Sequence, residues 1–144
     1  MDTVLTQPVI AAPSTDSPSN RRRWTGRILS GWAVAFLLFD SVTKLAKTSF
    51  VLDAMQRVGY PEDTARPIGW ILLACLVAYL VPRTAVVGAV LLTGFLGGAI
   101  ATHLRLEDPL FSHTLFPTYV AVLVWGGLYL RDSRVAGIFA MRGR

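Results

Sequence analysis

The chain has 144 residues, is 53% hydrophobic and only 16% charged, and carries a net charge of +5. An ordinary soluble domain is about 25% charged, so too few polar residues remain here to cover a water-exposed surface, and a soluble globular domain is excluded. One cysteine, Cys75, rules out an internal disulfide and leaves no exchanging pair for thiol–disulfide chemistry within the chain.

Residues 1–22 open with MDTVLTQPVIAAPSTDSPSN, rich in Ser, Thr and Pro and without hydrophobic period. This composition predicts a disordered tail. Arg21–Arg23 before an apolar run imitates a secretory or twin-arginine signal. The preceding region is too long for one, no small-x-small cleavage site follows, and three more apolar blocks come after, so removal is not expected.

Residues 23–134 read as an all-α integral membrane four-helix bundle. Four apolar blocks approach the roughly 20 residues needed to cross about 30 Å of hydrocarbon: Trp24–Thr43, Pro61–Val81, Thr84–Leu104 and Ser112–Leu130. Counted from Pro67 or Pro117 the second and fourth would be too short, so each is expected to start a turn or more earlier and to kink at its internal proline. Pro61 suits a first helical position and Ser112 an N-cap. Between the first two spans, TSFVLDAMQRVGY puts Phe50, Val51, Ala54, Met55 and Val58 on one helical face, with Gly59 as a stop. A short helix in the membrane interface and a packed amphipathic loop both fit that pattern. Residues 135–144 form a basic C-terminal tail.

Four spans put both termini on one side. That side holds nine basic and three acidic residues, the other five basic and six acidic. The positive-inside rule therefore predicts a multi-pass protein with cytoplasmic termini, and the family resemblance given below implies a bacterial inner membrane. The basic excess suits an anionic leaflet, and no nucleic-acid partner is expected.

The other, outer side collects ionisable groups from every span: Asp40 and Lys44, Glu62 and Arg66, His103 and Arg105, then His113. Asp40 ends an apolar run; a carboxylate there is expensive in hydrocarbon and should face the bundle, either as a structural pair with Lys44 or as a proton or ligand contact. His103, Arg105 and Asp40 are expected to converge at one mouth. His103 and His113 have no metal-site spacing, so no metal is assigned. They suit an ion-pair network with Arg105, Glu107 and Asp108, or a hydrogen bond to a quinone-like carbonyl. Gly88, Gly94 and Gly98 in the third span are expected to bring helix backbones together, inside the bundle or in a homodimer. No nucleotide-binding or nucleophile-elbow motif occurs.

FDSVTKL, VGYP, IGW, VPRTAVVGAVLLTGFLGGAIATHLR and LFPTYVAVLVWGGLYLRD together resemble the DoxX-like family of small four-helix bacterial membrane proteins, over about residues 28–134. Lys44, Gly59, Gly69, Gly88, Gly94, Gly98, His103 and Arg105 match the family pattern. The resemblance implies an accessory subunit of a membrane, quinone-linked oxidoreductase system, with redox partner subunits and quinone as the ligand class. Two other readings stand beside it: a small membrane enzyme or carrier binding a lipophilic carbonyl compound at the outer mouth, and a structural anchor with no ligand.

Overall fold

A computed structural model describes residues 20–140, with side chains to 137. Six α-helices follow in order: α1 (Asn20–Leu45), α2 (Ser49–Val58), α3 (Ala65–Leu80), α4 (Ala85–Arg105), α5 (Phe116–Arg131) and α6 (Ser133–Ala140). No strand occurs among the described residues. Four helical stretches are long and apolar enough to cross a membrane: Asn20–Leu45, Glu62–Leu80, Ala85–Arg105 and Leu110–Arg131. They bury a narrow inner stripe and leave large side chains outward, among them Trp32 at 72% and Phe111 at 74% exposure. Outward apolar surface on this scale is untenable in water for a soluble monomer and matches contact with lipid.

The second and fourth spans gain their length differently from the expected proline kinks. A 3-10 turn at Glu62–Thr64 precedes α3, and a wide π turn at Leu110–Thr114 precedes α5. Pro67 and Pro117 then fall in the first turn of their α-helices, where an amide N–H has no intrahelical partner and the ring costs little. Pro61 and Ser112 do not take the expected places. Pro61 flanks the 3-10 turn, and Ser112 lies inside the π turn with its hydroxyl on His113 Nδ1 at 2.8 Å.

Helix α1 starts at Asn20, within the stretch expected to be disordered; residues 1–19 of that tail lie outside the described residues. The basic C-terminal segment begins as α6, whose Val135 is buried in the core; residues 141–144 lie outside the described residues. The connector between the first two spans is a helix, α2, but its apolar face is divided. Val51 and Met55 pack on Ala65 and Ile68 of α3, while Phe50 remains 54% exposed. At 100° per residue, positions 51 and 55 share one line and position 50 lies off it. Gly59 ends α2 in the left-handed region (φ 78°), where glycine has no steric penalty.

Helix α1 packs against α3 and α5, and α4 packs against the same two, so α1 and α4 occupy opposite corners. The four spans meet at Tyr79, which is fully buried. Its hydroxyl donates to the Val124 carbonyl of α5 at 2.9 Å, so the Ser30 hydroxyl of α1, also 2.9 Å away, donates to the tyrosine oxygen. Helix α4 closes on the same residue: a Cβ at Gly88 would overlap the Tyr79 backbone nitrogen. At Gly94 and Gly98, by contrast, an added Cβ meets nothing within 4 Å. The expected small-residue packing within the bundle therefore holds at Gly88 and fails at Gly94 and Gly98, because the face they share turns outward.

Gly88→Ala should lower stability in detergent by about 1–3 kcal/mol, the usual cost of overpacking, while Gly98→Ala should stay near the parent. Thermal unfolding of the two variants checks this; equal loss in both would contradict the packing at Tyr79.

Candidate functional site

At the end of the bundle away from the termini, three left-handed residues turn the chain. Lys47 (φ 49°), Gly59 and Glu107 (φ 55°) follow α1, α2 and α4. After α4 the Asp108 N–H bonds the His103 carbonyl at 3.2 Å and the Glu107 N–H bonds the Leu104 carbonyl at 3.1 Å. This paired closure satisfies the last carbonyls of the helix. It also folds Asp108 back over the turn it has just left. Glu107 adopts its left-handed conformation without being glycine, a local cost of about 1–2 kcal/mol. Such outliers concentrate at functional sites.

Asp108 is the centre of this end. Its side chain is 5% exposed, and its Oδ2 lies 2.7 Å from His103 Nδ1. Its other oxygen pairs with Arg57 of α2, and its backbone carbonyl accepts from the buried Thr114 hydroxyl at 3.2 Å. The hydrogen bond from His103 holds the Asp108 carboxyl below the ordinary aspartate range, against the opposing effect of burial, and the charge of Arg57 adds to the lowering. An ionised carboxylate only accepts hydrogen bonds, so His103 Nδ1 carries the proton. Nε2 of His103 then has no hydrogen-bond partner among the described residues. The His113 ring stands edge-on to His103, with centroids 6.1 Å apart.

Helix α2 is clamped onto the same corner. Arg105 donates to the Val58 carbonyl at 2.6 Å, a cation at the negative end of α2. The Tyr60 hydroxyl lies 3.3 Å from Thr102 Oγ1. Arg105 thus binds backbone, not the carboxylates Glu107 or Asp108. On the diagonal corner, Asp40 pairs with Lys44 on α1, and Lys44 packs its stem near Gly69 of α3. Ser41 donates to the Gly69 carbonyl at 2.9 Å. No hydrogen bond or ion pair among the described residues joins this pair to His103. The structure therefore brings His103 and His113 together and pairs Asp40 with Lys44 on the diagonally placed helix.

Glu62 is bonded by Gln56 at 2.8 Å rather than by Arg66. Arg57 was invisible as a site residue in the sequence. It is distant along the chain from Asp108, and only the docking of α2 brings them together. Its place in the last turn of an amphipathic helix was the one available signal. Among the described residues, no group of three or more His, Cys, Asp or Glu side chains gathers to hold a metal ion.

A family model, that of the DoxX-like family, matches residues 28–127, more than half of the chain. The chain belongs to the DoxX-like family. No curated protein and no solved structure matches it. The matched stretch of this DoxX-like membrane protein contains both polar clusters in full, from Asp40 to His113.

Because the Asp108 carboxyl is lowered in the fold, its contribution to stability is present above the unfolded-state value and is lost as pH falls through the folded value. Asp108→Asn should therefore be less stable than the parent at neutral pH. The difference should shrink as pH falls below the ordinary aspartate range. Thermal unfolding of both proteins from neutral pH into acid is the check; a difference that is largest in acid, or absent at neutral pH, would contradict an ionised Asp108.

Proposed function

We propose that this DoxX-like protein is an accessory subunit of a membrane oxidoreductase system in a bacterial inner membrane. Its termini lie in the cytoplasm, and its outer polar end handles a proton for a lipophilic carbonyl compound of the quinone class. The observation that carries this reading is the His103–Asp108 pair at the edge of the spanning region. A carboxylate on Nδ1 orients the ring and stabilises the cation that forms when the ring takes a proton. His103 Nε2 then accepts one of the two protons that a quinol releases on oxidation, the second passes to water at the outer face, and the two electrons pass to a redox centre held by the partner subunit. The protonated ring can equally donate to a quinone carbonyl. The orientation rests on the nine-to-five bias of basic residues.

The outward face of Gly94, Gly97 and Gly98 supports assembly with another helix. An added Cβ there meets nothing in the chain itself, and small residues at helical spacing allow close approach of a helix in lipid. That helix belongs to a partner subunit or to a second copy.

Purification in mild detergent should bring a redox partner in fixed stoichiometry. Gly98→Leu should release it without changing the thermal midpoint of the chain. In the intact assembly His103→Gln should lower quinol-dependent activity by about 100-fold, the lower range for loss of a general base, while His113→Gln should stay near the parent. A chain that always purifies alone, or an assembly as active with His103→Gln as without it, would overturn the proposal.

A further inference from the structure

The end of the bundle that carries the termini holds a cavity of about 350 Å³, within the range of small-ligand sites. It is independent of the polar end containing His103. Leu80 and Leu128 give it an apolar floor, and Arg27, Arg131 and Arg134 surround it. All three arginines lie outside residues 28–127, the family-matched stretch.

The three cations differ in what they are bound to. Arg134 is neutralised: its Nε lies 3.1 Å from one oxygen of Asp132 and its Nη2 lies 2.9 Å from the other. It also donates to the Pro82 carbonyl at 2.8 Å, which ties α6 to the turn between α3 and α4. Asp132, the one acid lining the cavity, is therefore occupied. Arg131 stacks over the Tyr79 ring at 4.7 Å and donates to the Tyr79 carbonyl at 3.3 Å. Arg27 stands 5.8 Å from the Trp24 ring. Rings and carbonyls position a guanidinium without cancelling its charge. Among the described residues neither Arg27 nor Arg131 makes an ion pair with a carboxylate; Arg131 lies within the electrostatic reach of Asp132, whose carboxylate accepts its hydrogen bonds from Arg134, whereas Arg27 has no acid beside it. Ala85, the first residue of α4, lines the same cavity and adds the positive end of the helix dipole.

We propose that this cavity binds a phosphate-bearing anion, held between the guanidinium groups of Arg27 and Arg131 over the floor of Leu80 and Leu128. The planar fork of arginine matches phosphate oxygens in pairs, and the apolar floor suits the first carbons of an esterified group. Anionic phospholipid head groups and free phosphate are the two sources of that chemistry, and basic pockets between spanning helices are suited to the former.

The test uses the full chain in neutral detergent and follows thermal unfolding against short-chain phosphatidylglycerol, short-chain phosphatidylcholine and inorganic phosphate. A saturable rise with phosphatidylglycerol alone assigns the site to the lipid head group. A saturable rise with inorganic phosphate assigns it to the free anion. In either case Arg27→Gln and Arg131→Gln should each weaken the apparent affinity about tenfold, the worth of one charge-assisted hydrogen bond, while Arg23→Gln should not. Arg27 is exposed and holds no other element, so Arg27→Gln decides the matter if Arg131→Gln fails to fold. Equal response to phosphatidylcholine and phosphatidylglycerol, no saturable response to either anion, or a response unchanged by Arg27→Gln overturns the proposal.

Discussion

Hydrocarbon offers no hydrogen bonds, so every polar group carried into it must find its partner inside the protein. In this bundle that constraint is met at Tyr79. Its one hydroxyl accepts a hydrogen bond from Ser30 of α1 and donates one to the backbone of α5, while its main chain fills the space that Gly88 of α4 leaves open. A tyrosine whose hydroxyl lost either partner would be a net cost at this depth. The three bonded helices and the fourth that closes on them are therefore fixed in register by one side chain. Among the described residues no buried side-chain nitrogen or oxygen lacks a partner.

Fixing the bundle at one end leaves the other free to be polar. With α4 seated against Tyr79 through Gly88, its last turn arrives at a set height, and the left-handed Glu107 then returns Asp108 onto His103. Arg57 and Arg105 close α2 over the same corner through Asp108 and the Val58 carbonyl. The result is a carboxylate largely shielded from solvent, beside a ring that retains one unpaired nitrogen at the boundary of the spanning region. Helix geometry, turn chemistry and ion pairing all serve that placement. The Asp40–Lys44 pair solves a different problem: it neutralises a carboxylate near the end of α1 within its own helix.

The spans were legible because length and hydropathy alone specify them, and the stop at Gly59 because glycine takes the positive φ of a helix end without steric cost. The π turn before α5 was not legible, since nothing in LFSHT separates it from an ordinary α turn. Nor was Tyr79. In the run CLVAYLV it reads as one more large apolar side chain, and the one signal that could have found it is the need of a buried hydroxyl for a partner, with Ser30 in an apolar stretch of its own. Gly94 and Gly98 carried a genuine spacing signal, but spacing does not say which way a helix faces. His103 and Asp108 were adjacent enough to suspect, whereas the contribution of Arg57 depended on tertiary docking of α2. Asp40 and His103 share a level in sequence terms, yet α1 and α4 sit at opposite corners, and level alone does not bring side chains together.

The proton-handling site depends most directly on which nitrogen of His103 carries the proton. Nitrogen-15 NMR of the ring in detergent, with the imidazole neutral, reports it. A protonated, hydrogen-bonded Nδ1 with a bare Nε2 in the parent, and loss of that preference in Asp108→Ala, is the predicted result. A bare Nδ1 and a protonated Nε2 in the parent would contradict an ionised Asp108 holding the ring, and with it the proton-handling site.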